Sequence, residues 1–184
     1  MKFQPSRQIF VVCAAALVLL SRGVRADGDV SGLAARPSPD WLRSGTIYEI
    51  FPRDFSAAGN LDGVTARLDD LHDLGVNILW MMPIHPIGEK FRKGELGSPY
   101  SIRDYYAVDP NYGTLDDFKK LVAGAHQRGM KVIMDIVANH TAWDSVMMAH
   151  PEFYKHDSHG EMIPPVPEWT DVAAINYGNP ALRE

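Results

Sequence analysis

Two stretches of the sequence follow the same pattern, Leu74-Gly75-Val76-Asn77-Ile78-Leu79 and Arg128-Gly129-Met130-Lys131-Val132-Ile133. In each, a helical pattern ends at a glycine and an apolar strand pattern follows. Glycine is favoured there because it accepts the left-handed backbone conformation that often closes a helix. The repeated helix–glycine–strand unit predicts strands that run parallel and are joined by helices.

The segments before the two glycines carry apolar residues at helical spacing. These residues are Leu61, Val64, Leu68, Leu71 and Leu74 in the first segment, and Leu115, Phe118, Leu121, Val122 and Ala125 in the second. Steps of three and four place side chains on one face of a helix. Asn60 suits the N-cap of the first helix, and Thr114 with Asp117 forms a capping-box pattern for the second. We therefore predict two amphipathic helices, over 60–74 and 114–129.

Three short apolar segments are predicted to be strands. They cover 46–51 (TIYEIF), 77–82 (NILWMM) and 131–137 (KVIMDIV). Continuous apolar runs are typical of parallel strands that are buried on both faces. The strand–helix order fits either a βα-barrel or a doubly wound sheet. No glycine-rich phosphate motif follows the first strand, which disfavours a dinucleotide-binding sheet.

Composition excludes several classes of function. The 184 residues carry a formal charge of −5, with 18 Lys and Arg against 23 Asp and Glu. No long basic run is present, so nucleic-acid binding has no electrostatic basis. The single cysteine excludes a disulfide framework and a cysteine-cluster metal site. A hydrophobic fraction of 46% is typical of a globular domain.

The N-terminal residues resemble a secretory signal. Lys2 and Arg7 precede the apolar run 9–20, and Val24 and Ala26 occupy the small-residue positions before a cleavage site. Twelve apolar residues are too short for a comfortable membrane span. We expect residues 1–26 to be a signal peptide, the protein to be secreted or periplasmic, and the mature chain to have no membrane span. Residues 27–45 are a polar lead-in.

Polar residues follow the third predicted strand. Asp135 alternates with Val137 and Asn139, and His140 comes next, so the first three are predicted to share a face. A carboxylate in an apolar run needs a partner, and Asp135 is expected to bind an arginine or a backbone donor. An Asn carbonyl can bind calcium, and a His can donate a hydrogen bond to a sugar hydroxyl.

Aromatic residues are concentrated in the long connection after the second strand. Tyr100, Tyr105, Tyr106 and Tyr112 surround Arg103, Asp104 and Asp109. Exposed aromatic rings can stack on sugars. The alternative is that the rings pack the loop itself, and for Tyr105, Tyr106 and Tyr112 we favour this packing. Three further histidines, His150, His156 and His159, lack metal-site spacing and are expected to be solvated.

The order of these motifs resembles glycoside hydrolase family 13, the α-amylase family. The matching elements are 47–51 with Arg53 and Phe55, 79–84, Tyr100-x-x-x-Asp104, Asp109-Pro110-x-Tyr-Gly-Thr114, and Asp135-x-Val-x-Asn139-His140. The resemblance implies the N-terminal part of a TIM (β/α)8 barrel, with its first three strands and two helices over 46–140. Residues 141–184 would begin the domain inserted after the third strand and return toward the barrel.

The resemblance also implies roles for individual residues. Tyr100 would stack on the sugar at the cleavage subsite, and His140 would hydrogen-bond that sugar. Asp135 would be a structural partner of an active-site arginine, and Asp104 a structural residue of the same site. Asn139 would be a calcium ligand. The implied substrate is an α-glucan or maltooligosaccharide, cut with retention at α-1,4 or α-1,6 bonds.

Three departures from the family pattern bear on function. Exo-acting α-glucosidases have an Asp where this chain has Gly97, which favours endo action. Ala174 replaces a carboxylate that many members place near the calcium ligand. The family's catalytic carboxylates lie on later strands than the three in this sequence, so no catalytic residue is assigned. We expect the 184 residues alone to be inactive; the alternative is a non-catalytic glucan-binding fragment or pseudo-enzyme.

Overall fold

The structure is a computed structural model that describes residues 31–183. All of its described helices and strands lie within residues 38–183. The signal-peptide prediction falls on residues 1–26, outside the described residues, and stays a prediction. Among the residues described, no helix is both long and apolar enough to cross a membrane.

A three-stranded parallel sheet forms the centre of the fold. Its strands are β1 (Ile47–Ile50), β2 (Ile78–Met81) and β3 (Lys131–Met134), in the order β1-β2-β3. The register aligns Ile50, Met81 and Met134 across the sheet. This row lies on the face that packs against the helices. The predicted parallel strands are confirmed.

Residues 31–183 contain five α-helices, and the core lies between the sheet and all of them except the first, which has no buried residue. The helices are α1 (Asp40–Arg43), α2 (Pro52–Phe55), α3 (Leu61–Thr65), α4 (Leu68–Asp73) and α5 (Leu115–Gln127). The helices α3 and α5 pack against each other. Their buried residues include Leu61, Val64 and Leu121, each with no exposed area. The predicted apolar faces therefore build the core.

The prediction of one continuous helix over 60–74 is wrong, because α3 and α4 are separate helices. The Thr65 hydroxyl donates to the Leu61 carbonyl at 2.9 Å, and the Arg67 amide bonds to Val64, three residues back. These local hydrogen bonds compete with the backbone hydrogen bonds, from each residue to the fourth before it, that a continuous helix would form. Gly75 and Gly129 have φ of 88° and 74°, the left-handed conformation that the sequence pattern predicts.

The N-terminus of α5 carries the predicted capping box. Thr114 Oγ1 accepts from the Asp117 amide at 3.2 Å, and Asp117 Oδ2 accepts from the Thr114 amide at 2.8 Å. Thr114→Ala is expected to lower the free energy of unfolding by about 1 kcal/mol, because an orphan amide loses its acceptor. Urea denaturation would measure the loss. Lys119→Ala, exposed on the same helix, is the control; an equal loss there would contradict the capping role.

A second, smaller sheet follows β3. Its antiparallel strands are β4 (His140–Ala142) and β5 (Val172–Ala174). Short 3-10 helices lie at Val146–Ala149, Pro151–Phe153 and Pro180–Arg183. Tyr154, Ala173 and Ile175 form a separate buried cluster beside this sheet. The position of a domain boundary at residue 141 stays a prediction.

The end of β3 differs from the prediction. The strand is predicted over 131–137 but ends at Met134; the Asp135 amide still donates to the Met81 carbonyl at 3.0 Å, and the regular pairing stops there. Val137 is buried, whereas Asn139 is exposed. The predicted shared face of Asp135, Val137 and Asn139 is therefore wrong.

Candidate active site

A cavity of about 410 Å³ lies beside the segment that follows β3. Its wall is built from two long connections and the second sheet. The lining residues are Lys93, Ser98, Tyr100, His140, Trp169, Asp171 and Val172. Two of the predicted substrate-binding residues, Tyr100 and His140, are thus brought to one cavity although they are far apart in sequence.

Asp135 lies outside the cavity wall and holds the wall residue Tyr100. Its Oδ1 accepts from the indole N–H of Trp80 at 2.6 Å, and its Oδ2 accepts from the Tyr100 hydroxyl at 2.9 Å. Trp80 lies on β2, so the carboxylate, directly after β3, joins β2 to the long connection that holds Tyr100. The expected arginine or backbone partner is replaced by an indole and a phenol among the described residues. The arginine implied by the family resemblance stays a prediction.

Tyr100 combines an accessible ring with a fixed hydroxyl. Its side chain is exposed to about one third, at 36%. Partial burial raises the pKa of Tyr100 to about 12, and the hydrogen bond and negative charge of Asp135 add to the shift. The hydroxyl therefore remains a protonated donor at neutral pH. Because Asp135 holds this hydroxyl, the ring has a defined position for stacking.

His140 presents a buried, neutral imidazole. Its ring packs edge-on against the Trp169 ring with centroids 5.6 Å apart. Burial lowers the pKa of His140, which favours the uncharged form at neutral pH. The Asn139 side-chain amide lies 3.1 Å from Nδ1. His140 also hydrogen-bonds with the Tyr100 backbone, which acts against the effect of burial on its pKa. A hydrogen bond from His140 to a sugar hydroxyl stays a prediction.

Five residues of the cavity wall lie outside the sequence prediction, and three of them, Lys93, Asp171 and Trp169, carry a charge or an aromatic ring. Lys93 forms an ion pair with Asp171 at 3.3 Å and donates to the Glu168 carbonyl at 2.5 Å. These two contacts of Lys93 join the connection after β2 to the segment before β5. Trp169 is the third missed residue. No periodic pattern could have revealed these contacts, because they join separate irregular segments.

The other candidate residues lie outside the cavity wall. Asp104 accepts from the Tyr106 amide at 2.8 Å and so stabilises its own turn. Tyr105 donates to the carbonyls of Val137 and His140, at 2.5 and 3.1 Å, which holds the chain between β3 and β4. Tyr112 is buried, as expected for packing. Tyr106 is 95% exposed, so the expected packing role is wrong for that residue.

The described residues do not by themselves complete a calcium site. Calcium takes six to eight oxygen ligands, and Asn139 offers one side-chain oxygen. Ala174, where a carboxylate would help, pairs with His140 across β4 and β5 and contributes only a methyl group. Within residues 31–183, no group of three acidic, His or Cys side chains could hold a metal. Asn139 as a calcium ligand stays a prediction.

Comparison with known proteins extends these observations. The family pattern "Alpha amylase, catalytic domain" matches residues 26–162. The chain belongs to the α-amylase family. Trehalose-6-phosphate hydrolase of Escherichia coli is 41% identical over 109 residues, covering 56% of this α-amylase-family chain and 19% of the relative. The chain thus spans about a fifth of that relative's length.

Similarity to solved structures identifies the fold. An α-amylase from Lactobacillus plantarum aligns with a TM-score of 0.75 and 53% identity, covering 77% of this α-amylase-family chain and 34% of that protein. A maltogenic α-amylase from Thermotoga neapolitana gives 0.72 and 43%, with the same coverage. The resemblance to glycoside hydrolase family 13 and the N-terminal part of a (β/α)8 barrel are confirmed.

Proposed function

We propose that this chain supplies the substrate-contacting part of a hydrolase that cleaves α-1,4 or α-1,6 glucosidic bonds in α-glucans with retention. The observation that carries the proposal is the cavity in which Tyr100, His140 and Trp169 meet. Aromatic faces suit the apolar face of a glucose ring, and His140 lines the same cavity as a polar group. Asp135 holds the Tyr100 ring in place through its hydroxyl.

The charge of the cavity favours a neutral substrate. Lys93 is the one lysine or arginine among the described residues of the wall, and Asp171 neutralises it at 3.3 Å. A phosphorylated sugar, the substrate named for the Escherichia coli relative, would have to compete with that carboxylate. Gly97 stands where the family resemblance implies an Asp in exo-acting members, and this supports endo action. The two solved structures compared above are named as α-amylases, and this supports an α-glucan as the substrate.

The catalytic carboxylates belong, in this proposal, to parts of the barrel beyond the described residues. A retaining glycosidase needs two carboxyl groups about 5–5.5 Å apart across the scissile bond. Asp171 is the one carboxylate in the described cavity wall, and it is paired with Lys93. Asp135 is held by two donors. The described residues therefore bind and orient the sugar. Secretion through residues 1–26 is part of the same proposal.

Tyr100→Ala tests the stacking role in the protein expressed from its complete reading frame. We expect kcat/KM for maltoheptaose to fall about 100-fold, because both the ring and the hydroxyl are lost. Tyr100→Phe keeps the ring and is expected to lose about 10-fold or less. A pKa of about 12 keeps the Tyr100 hydroxyl protonated, so the loss in Tyr100→Phe is expected to be constant between about pH 5 and 9.

The matched control is Tyr106→Ala, six residues further along the same connection. The Tyr106 side chain is 95% exposed and lies outside the cavity wall, so this change is expected to leave kcat/KM within about twofold of wild type. Reducing-sugar release would measure all three variants. Absence of hydrolysis of any α-glucan by the wild-type protein would overturn the proposed function. Equal losses in Tyr100→Ala and Tyr106→Ala would overturn the stacking role.

A further inference from the structure

The segment between β3 and β4 carries two residues of the candidate site, Asp135 at its start and His140 at its end. The regular pairing of β3 ends before this segment, and that of β4 begins at its last residue. Most of the side chains between the two site residues are exposed, namely Ile136, Ala138 and Asn139. Apolar packing therefore contributes little to the position of the segment, and hydrogen bonds to its backbone have to fix it.

The Tyr105 hydroxyl faces two carbonyls of this segment. It donates to the Val137 carbonyl at 2.5 Å, and the His140 carbonyl lies 3.1 Å away. The Tyr105 ring packs against the His85 ring with centroids 5.6 Å apart. His85 is in turn held by its Nδ1, which lies 2.9 Å from the Ala107 carbonyl. The phenol is therefore fixed by its ring and holds the segment by its hydroxyl.

The opposite side of the segment is held by the chain that follows β5. The Tyr177 hydroxyl donates to the Ala138 carbonyl at 2.7 Å. The Ile175 amide donates to the Asn139 carbonyl at 3.0 Å. The segment is thus held from two sides, and Tyr105 joins it to the connection after β2.

This contact links the two predicted substrate-binding residues through the backbone. Tyr100 precedes Tyr105 in the same connection, and His140 is the residue whose carbonyl the Tyr105 hydroxyl reaches. The His140 ring packs edge-on against Trp169, with centroids 5.6 Å apart, and both line the cavity. Because a side chain leaves the backbone at a fixed angle, a rotation at the His140 carbonyl would turn its ring away from Trp169.

We infer that Tyr105 is a positioning residue for the proposed hydrolysis, because its hydroxyl sets the direction of the His140 ring through the Val137 and His140 carbonyls. Tyr105 lies outside the cavity wall, so it acts on a substrate there through His140. The inference rests on the proposed function and adds to it a residue that lines no part of the cavity.

Tyr105→Phe removes the hydroxyl and keeps the ring that packs against His85. In the protein expressed from its complete reading frame, we expect kcat/KM for maltoheptaose to fall about tenfold, because the His140 ring loses its fixed direction. Burial raises the pKa of Tyr105, so the wild-type hydroxyl is a donor at neutral pH. Reducing-sugar release measures the loss, and thermal melting by circular dichroism shows that the variant is folded at the assay temperature.

Tyr105→para-aminophenylalanine is the conservative variant. It keeps an N–H donor on the same ring, and kcat/KM is expected to stay within about threefold of the wild-type value. This variant tests the role of the donor even if Tyr105→Phe does not fold. A loss of about tenfold or more in a folded para-aminophenylalanine variant would overturn the inference.

A double-mutant cycle with His140→Ala separates positioning from general support of the fold. If Tyr105 acts through His140, Tyr105→Phe costs about tenfold in the wild-type background and less than about twofold in the His140→Ala background. A merely structural hydroxyl would cost the same factor in both backgrounds, and that result would overturn the inference.

Tyr112→Phe is the matched control. Tyr112 lies in the same connection and is buried, and its hydroxyl has no hydrogen-bond partner within residues 31–183. Loss of this hydroxyl is expected to leave kcat/KM within about twofold of wild type. An unchanged kcat/KM in Tyr105→Phe, with an active wild-type protein, would overturn the inference and leave the proposed function standing. An inactive wild-type protein would overturn both.

Discussion

Asp135→Ala is expected to lower kcat/KM for maltooligosaccharides by about 1000-fold in the protein expressed from its complete reading frame. The carboxylate accepts from Trp80 at 2.6 Å and from Tyr100 at 2.9 Å. Alanine leaves both donors without this acceptor, and the half-buried Trp80 N–H then costs about 1–3 kcal/mol as an orphan, whereas the exposed Tyr100 hydroxyl turns to water. Because Tyr100 also loses its fixed position, the stacking contact with substrate is lost as well. Steady-state hydrolysis of maltoheptaose would measure the effect.

Two companion variants separate the role of Asp135 from general damage to the fold. Asp135→Asn keeps one acceptor oxygen and is expected to retain more activity than the alanine variant. Asp157→Ala removes a carboxylate that accepts from backbone amides in an exposed turn, at 2.8 and 3.0 Å, and is expected to leave kcat/KM within about twofold of wild type. A folded Asp135→Ala protein with wild-type KM and kcat would show that Asp135 does not position Tyr100.

The regular part of the fold is predictable because its signals are periodic. The apolar runs around Ile78 and Val132, each preceded by a glycine, identify neighbouring parallel strands. The boundaries are less predictable. The third strand ends at Met134, and the Asp135 carboxylate that follows it bonds to Trp80 and Tyr100, side chains distant in sequence that no local pattern identifies. The split between α3 and α4 depends on local hydrogen bonds that apolar spacing does not record.

The candidate site, like the fold, has one part that the sequence predicts and another that it does not. Tyr100, Asp135 and His140 were found because they stand in short motifs that resemble a known family. Lys93, Asp171 and Trp169 belong to no such motif, and they meet only when the connection after β2 packs against the segment before β5. Contacts between two irregular segments depend on the whole fold. Their residues therefore could not be selected from the sequence.

A recombinant segment of residues 27–184 is expected to release no measurable sugar from starch. The one carboxylate in the described cavity wall, Asp171, is paired with Lys93, whereas retaining cleavage needs a nucleophile and an acid. The same segment is expected to aggregate. Ile47 and Ile133, on the sheet face opposite the helices, are 49% and 41% exposed, and β1 and β3 are the edges of the described sheet. Reducing-sugar assays and light scattering would measure the two effects.

The matched control is the protein from the complete reading frame, assayed at the same molar concentration. If the complete protein cleaves starch under the same conditions, the inactivity of the segment is due to its missing catalytic carboxyl groups and not to an unsuitable substrate. A segment that stays soluble, melts cooperatively and binds maltoheptaose without cleaving it would favour the glucan-binding alternative, because Tyr100 and His140 would then act without a barrel around them. Cleavage of starch by the segment above background would contradict the assignment of catalysis to other strands, since Asp135 or Asp171 would then have to leave its present hydrogen-bonding partner and react.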